Sequence, residues 1–240
     1  MDRTYLDRLT VRTNVIREHT PTVVQALPSS YAAVQELYTY LIAKYLPTRF
    51  PTIYSLHPTS LLNKATGHHI PLAPSSPIEA LRILGTNIDT DFLLLVTSPD
   101  GDGYILGGFI ACFPSGFDTQ ALLGKKIRDI HKPVPKYKEK LETTTGNHLY
   151  EGEEMKEEEF DIEDTNLRCE RQLVHRLPET KALVFSLKTY LTPITQIKEE
   201  GLGEQLAEAV DGLKKGNVPE IHRYKKSGVW GEKVKEYLRS

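Results

Sequence analysis

The sequence predicts an α+β fold, on the strength of two hairpin-like pairs of strands and of helical periodicities lying between and around them. The order of these runs lacks the strict strand–helix alternation of a parallel sheet. With 240 residues the chain is long enough for one sizeable core and short for two full catalytic domains, so residues 1–240 are read as a single domain.

Ser29 or Ser30 is positioned to cap a helix through Leu46, because Val34, Leu37, Tyr38, Leu41, Ile42 and Tyr45 recur on one face, and Pro47 is expected to end it. Short extended pieces follow over Arg49–Leu56 and Leu61–Asn63, with a turn at Thr66-Gly67. Ser76, Pro77 and Glu79 supply an N-cap, a first-turn proline and a first-turn acid for a helix over Ile78–Gly85. Asp91–Thr97 and Tyr104–Phe113 are the most strand-like runs. The segment Ser98-Pro-Asp-Gly-Asp-Gly joins them as an antiparallel hairpin.

Asp118 is expected to cap a helix running through His131, with Leu123, Ile127 and Ile130 on one side. Residues 151–164 hold nine acidic residues against Lys156 alone, a run that self-repulsion keeps out of any core. Leu167–Leu177 and Ala182–Leu191 form a second hairpin around Pro178-Glu-Thr-Lys. In the tail, Thr192 is expected to cap a short helix opened by Pro193. Leu202–Lys215 ends at Gly216, and Trp230, Val234 and Leu238 repeat every four residues.

The net charge of −2 offers no basic field for nucleic acid. The two cysteines, Cys112 and Cys169, lie in strand-like runs, which disfavours a disulfide scaffold and suits a reducing compartment. No run approaches the roughly 20 apolar residues of a membrane helix, and the opening Met-Asp-Arg-Thr-Tyr carries no signal-peptide core. A cytoplasmic protein without membrane or nucleic acid partners is the expectation. Gly101-Asp-Gly-Tyr-Ile-Leu-Gly-Gly has the wrong spacing for a dinucleotide loop and opens a strand, not a helix. His57, His68 and His69 read as surface histidines, since adjacent strand residues point to opposite faces.

Four segments together resemble the haem-dependent oxidative N-demethylase family. They are Tyr45-Leu-Pro-Thr-Arg-Phe-Pro-Thr-Ile-Tyr, and Glu79-Ala-Leu-Arg-Ile-Leu-Gly with Asp91-Phe-Leu-Leu-Leu. The third is Cys112-Phe-Pro-Ser-Gly-Phe with Ile127-Arg-Asp-Ile-His-Lys-Pro-Val-Pro-Lys-Tyr137, and the fourth is Leu167-Arg-Cys-Glu-Arg-Gln with Leu177-Pro-Glu-Thr. The tail from Gly201-Leu-Gly to Lys214-Lys-Gly-Asn is similar to fungal members in particular. The resemblance implies a PAS-like antiparallel sheet with flanking helices, its core over about 49–192, and a C-terminal helical extension over about 193–240. It implies haem b as cofactor, and oxidation of a small secondary amine such as dimethylamine to a primary amine and formaldehyde. The resemblance departs at Lys138–Asn166, which is shorter than the family's segment with its aromatic-rich helix and Asn-Trp strand. The alternative reading is therefore a catalytically impaired PAS-like module that binds haem or another ligand.

Beside this resemblance, His131 stands before Pro-Val-Pro as the candidate axial ligand of the haem iron; a histidine placed against a helix dipole is the plainer reading. Period-2 alternation puts Arg168, Glu170, Gln172, Val174 and Arg176 on one strand face. Arg168 or Arg176 is a candidate for the haem propionates and Glu170 for a cationic alkylammonium, against the commoner fate of a solvated face with cross-strand ion pairs. Tyr137 is a candidate hydrogen-bond donor to oxygen or to the amine, or a packing residue. Without a nicotinamide fingerprint or a cysteine cluster, electrons are expected from a separate NAD(P)H-dependent reductase.

Overall fold

The first helix of the chain carries no continuous apolar stripe. In a computed structural model that describes residues 4–114, 118–131, 161–215, 222, 225 and 227–240, α1 spans Tyr5–Val23. Its buried face is Tyr5, Leu9, Arg12 and Ile16, at the spacing of one helical side, but a charged residue occupies the third position. The helix kinks at His19 (φ −127°, ψ 26°), just before Pro21 removes an N–H from the ladder.

Strand β1 (Val24–Ala26) leads to a 3₁₀ turn at Pro28–Ser30 and to α2 (Tyr31–Thr39). A π-helical segment, Tyr40–Tyr45, continues into α3 (Leu46–Arg49). Pro47 thus does not end the helix, contrary to expectation. The Leu46 N–H bonds the Leu41 carbonyl five residues back, and Pro47 falls in the first turn of the next segment, where a missing N–H is tolerated. Strands β2 (Tyr54–Leu56), β3 (Ser60–Asn63) and β4 (His68–Pro71) form a small antiparallel sheet in that order. Helix α4 (Pro77–Asn87) starts as expected, with Ser76 Oγ accepting the Glu79 N–H at 3.1 Å.

The main sheet is antiparallel. Strands β5 (Asp91–Thr97) and β6 (Tyr104–Ile110) make the expected hairpin. With β7 (Asn166–Arg176) and β8 (Leu183–Pro193) they give the order β1-β6-β5-β8-β7. These helices and antiparallel sheets make the fold α+β. The register shifts between Leu94 and Leu95, so that Leu94 pairs with Gly108 and Leu95 with Leu106, leaving Gly107 as the extra residue. A Cβ on Gly107 would lie 2.8 Å from Val96 and 2.9 Å from Ser30. Ser30 Oγ donates to the Gly107 carbonyl at 2.8 Å, so this glycine serves the close approach of the 3₁₀ turn.

The helix expected from Asp118 to His131 is two single turns instead, α5 (Thr119–Leu122) and α6 (Ile127–Ile130). Asp118 does cap the first, accepting the Ala121 N–H. Gly124, at φ +80°, then breaks the helix, and its N–H and that of Leu106 exchange bonds with the carbonyls of Leu106 and Lys125. Edge pairing to β6 wins over helical continuation.

The chain forms two compact units: residues 1–114, 118–127 and 171–188 in the first, and 115–117, 128–170 and 189–240 in the second. In the first unit Phe92, Leu94 and Ile110 of the sheet pack with Val34, Leu37, Leu81 and Leu84 of the helices. Arg12 is 1% exposed there. Its Nη1 donates to Asp91 Oδ1 at 2.6 Å, its Nε to the Gly85 carbonyl and its Nη2 to the Thr90 carbonyl. Asp91 also accepts the N–H groups of Cys112 and Phe113. A second buried pair joins Lys188 and Asp89 at 2.7 Å. Tyr5 OH and Tyr54 OH share the Asn87 carbonyl, and Asn63 Nδ2 donates to Tyr5 OH, which ties α1 to the small sheet. Glu36 of α2 holds the tip of the β7–β8 hairpin by accepting from the N–H groups of Glu179 and Thr180 and from the Thr180 hydroxyl.

In the second unit, α7 (Ile194–Glu199), α8 (Gly203–Lys215) and α9 (Ser227–Arg239) gather Ile194, Ala207, Val234 and Leu238, with Trp230 and Tyr237 against them. The expected Thr192 cap is absent. β8 runs on through Pro193, and the Ile194 N–H is satisfied by the Thr165 carbonyl. No helix among the described residues is long and apolar enough to cross a membrane.

Candidate functional site

Along β7 the burial alternates as period 2 requires, but with the polarity inverted. Arg168, Glu170, Gln172 and Val174 are half-buried, whereas Leu167, Cys169, Arg171 and Leu173 are exposed. Leu173 is 61% exposed. Two charged side chains, Arg168 and Glu170, are thus more shielded from water than Leu167 and Leu173, and need polar partners.

The first such partnership is between the two themselves. Arg168 Nη2 lies 2.6 Å from Glu170 Oε1, its Nε donates to the same oxygen at 2.8 Å, and Nη2 also donates to Thr189 Oγ1 on β8 at 3.1 Å. Residues two apart on a strand share a face, which is why this pair forms without any backbone distortion. The two side chains, candidates for a propionate and for an alkylammonium, thus also bond each other. Thr189 went unnoticed in the sequence, since only strand pairing reveals it.

His131 follows α6 directly and is 6% exposed. The helix before it is one turn, so the dipole of a long helix has no part in its placement. His131, Arg168 and Glu170 belong to the same compact unit. Arg176 belongs to the other, where it is exposed and its Nε donates to the Lys181 carbonyl across the hairpin end. Tyr137 and most of the acidic run at 151–164 lie outside the described residues.

A second imidazole, that of His175, sits on the alternate face of β7, where period-2 alternation places it. Among the described residues both ring nitrogens of His175 are buried without a hydrogen-bond partner, and burial lowers its pKa below the ordinary histidine value. Well above about pH 6.5 the ring is neutral in both the folded and the unfolded chain, and contributes no pH dependence. Below that, the unfolded chain takes up the proton more readily, so stability falls with pH until the folded pKa is passed. Urea midpoints between pH 7.5 and 5.5 should therefore fall less for His175→Phe than for the parent. Equal falls in both proteins would refute this role.

His131 and Arg168 are of residue types that can hold haem. A buried imidazole nitrogen is an ordinary iron ligand, and a guanidinium matches a propionate carboxylate in charge and geometry. Among the described residues no three histidine, cysteine or acidic side chains gather as a metal cluster. The model of one family, described as haem-dependent oxidative N-demethylase, alpha subunit-like, matches the chain over residues 1–147 and 141–235. The two matched stretches meet inside Lys138–Asn166, the segment that is short in the sequence. No curated protein matches the chain.

Proposed function

Because the chain belongs to the haem-dependent oxidative N-demethylase, alpha subunit-like family, we propose that it binds haem b and removes a methyl group oxidatively from a small secondary amine. Dimethylamine is the simplest such substrate: with O2, two electrons and two protons it yields methylamine, formaldehyde and water. The family match over nearly the whole length carries this reading. The antiparallel five-stranded sheet flanked by helices supports a PAS-like arrangement.

Haem, when bound, supplies the oxygen chemistry; the protein supplies its ligand, its orientation and the placement of the amine. In this reading His131 would hold the haem iron through a ring nitrogen. Arg168, held by Glu170 and Thr189, offers its guanidinium to a propionate, while Arg176 stays with the hairpin. Glu170 offers negative charge to an alkylammonium, and Tyr137 a hydroxyl to the amine. Electrons come from a separate reductase, in keeping with a family described by its alpha subunit. The cytoplasm, where reduced nicotinamide is abundant, is the proposed compartment.

Haemin titration of the purified chain tests the base of the proposal. A sharp Soret band saturating at one haem per chain is expected, and its absence rejects haem binding. His131→Ala should weaken haem binding by more than the roughly 10- to 100-fold that loss of an outer hydrogen-bond partner costs a metal site. An unchanged spectrum and affinity in that variant would remove His131 as ligand. Formaldehyde release from dimethylamine with a reductase supplied then separates the enzyme from the second reading, a haem-binding module without turnover. Two observations favour that second reading: the short Lys138–Asn166 segment, and the mutual neutralisation of Arg168 and Glu170, which dilutes the charge either presents to a ligand.

A further inference from the structure

The small sheet has one face turned to the core and one turned to water. Leu61 and Ile70, paired across β3 and β4, are buried, as are Tyr54 and Asn63 of the next pair. The opposite face carries Ser55, Leu62 and His69, aligned by the pairs Ser55–Leu62 and Leu62–His69. His57 lies two residues beyond Ser55, so period 2 returns it to that same outer face. The structure accordingly brings together two exposed imidazoles that are twelve positions apart in sequence: the ring centroids of His57 and His69 are 5.8 Å apart, with planes inclined at 54°.

We propose that His57 and His69 form a two-imidazole site for a divalent transition-metal ion. With a metal–nitrogen bond of about 2.0–2.1 Å, two imidazoles that share one ion at tetrahedral or wider angles have centroids about 5–6 Å apart. The observed separation meets that condition without backbone movement. Ser60 Oγ lies 3.1 Å from His69 Nδ1. In the tautomer where Nδ1–H donates to this hydroxyl, the Nε2 lone pair is left for the metal, and the hydroxyl holds the ring as outer partners of metal ligands commonly do. His68, the immediate neighbour, pairs with Asn63 and points to the other face, so it takes no part. No third histidine, cysteine or acidic side chain joins the pair among the described residues. Two imidazoles and no carboxylate select Cu2+, Ni2+ or Zn2+ over Mg2+ or Ca2+, with water completing the shell and Cu2+ bound most tightly.

The test is calorimetric titration of the full, tag-free, haem-free chain with Cu2+, Ni2+, Zn2+ and Mg2+. One transition-metal ion per chain at this site, Cu2+ tighter than Zn2+ and no response to Mg2+, is expected. His57→Ala and His69→Ala should each weaken that binding at least roughly ten-fold, Ser60→Ala less, and His68→Ala not at all. The electron paramagnetic resonance spectrum of the Cu2+ form should carry coupling to two imidazole nitrogens. All four positions are at the surface or half-buried, and matching far-UV circular dichroism verifies that the variants fold. Unchanged binding in the His57→Ala/His69→Ala double variant overturns the site, and so does loss in one single variant but not the other. Because the site lies apart from the haem proposal in residues and in readout, either can fail alone.

Discussion

Arg12→Ala is expected to lower the stability of the chain by about 3–5 kcal/mol, the range seen when one partner of a buried ion pair is removed. Asp91 would be left 3% exposed with its charge uncompensated, and the carbonyls of Gly85 and Thr90 would lose their donors. The Asp91 carboxylate keeps the N–H groups of Cys112 and Phe113, which lessens the damage but does not cancel it. Arg12→Lys should rescue little, because one ammonium cannot reproduce three donors fanned towards Asp91, Gly85 and Thr90. Arg17→Ala is the control. Its guanidinium lies 2.9 Å from Glu18, but the two side chains are 67% and 57% exposed, and removal should change stability by at most about 0.5 kcal/mol. Burial, not distance, decides between the two. Urea unfolding followed by far-UV circular dichroism is the measurement, since the single tryptophan, Trp230, lies in the other compact unit. A loss below 1 kcal/mol for Arg12→Ala would show that this pair does not hold the first unit together.

Arg12 also explains why α1 was illegible while other elements were not. Residues 5, 9, 12 and 16 carry a proper helical spacing, but the third is arginine, and a pattern sought among apolar residues dissolves there. The partner, Asp91, opens an apolar strand 79 positions away, and nothing local joins the two. The β5–β6 and β7–β8 hairpins and α4 could be read directly, because their turn residues, alternation and cap lie next to one another in sequence. The helix towards His131 was drawn too long because Leu123, Ile127 and Ile130 keep a helical period across Gly124, whose left-handed φ only the edge of β6 could reveal. At the candidate site, one strand's period places Arg168 and Glu170 on one face. Their bond to each other and to Thr189, the unpartnered ring of His175 and the approach of His57 to His69 are all products of pairing or burial.

Two glycines of α8 should respond to the same substitution with opposite sign. Gly212 is exposed in mid-helix, and a Cβ there meets nothing within 4 Å. Gly212→Ala should stabilise by about 0.5–1 kcal/mol through backbone entropy alone. Gly203 begins the helix, and a Cβ there would stand 2.5 Å from the Leu238 carbonyl oxygen, a backbone atom of α9. That oxygen cannot turn aside as a side chain would, so the two helices must separate. Any gain in helix propensity is small at a first helical position and is outweighed by an overpacking cost of about 1–3 kcal/mol. The separation would also stretch the Arg239–Glu204 ion pair (2.8 Å) and loosen Ala207, Val234 and Leu238, which pack beneath Trp230. Tryptophan fluorescence during urea unfolding reads this unit directly. Stabilisation by both substitutions would mean that propensity governs the helical tail; opposite signs would mean that the contact between α8 and α9 does.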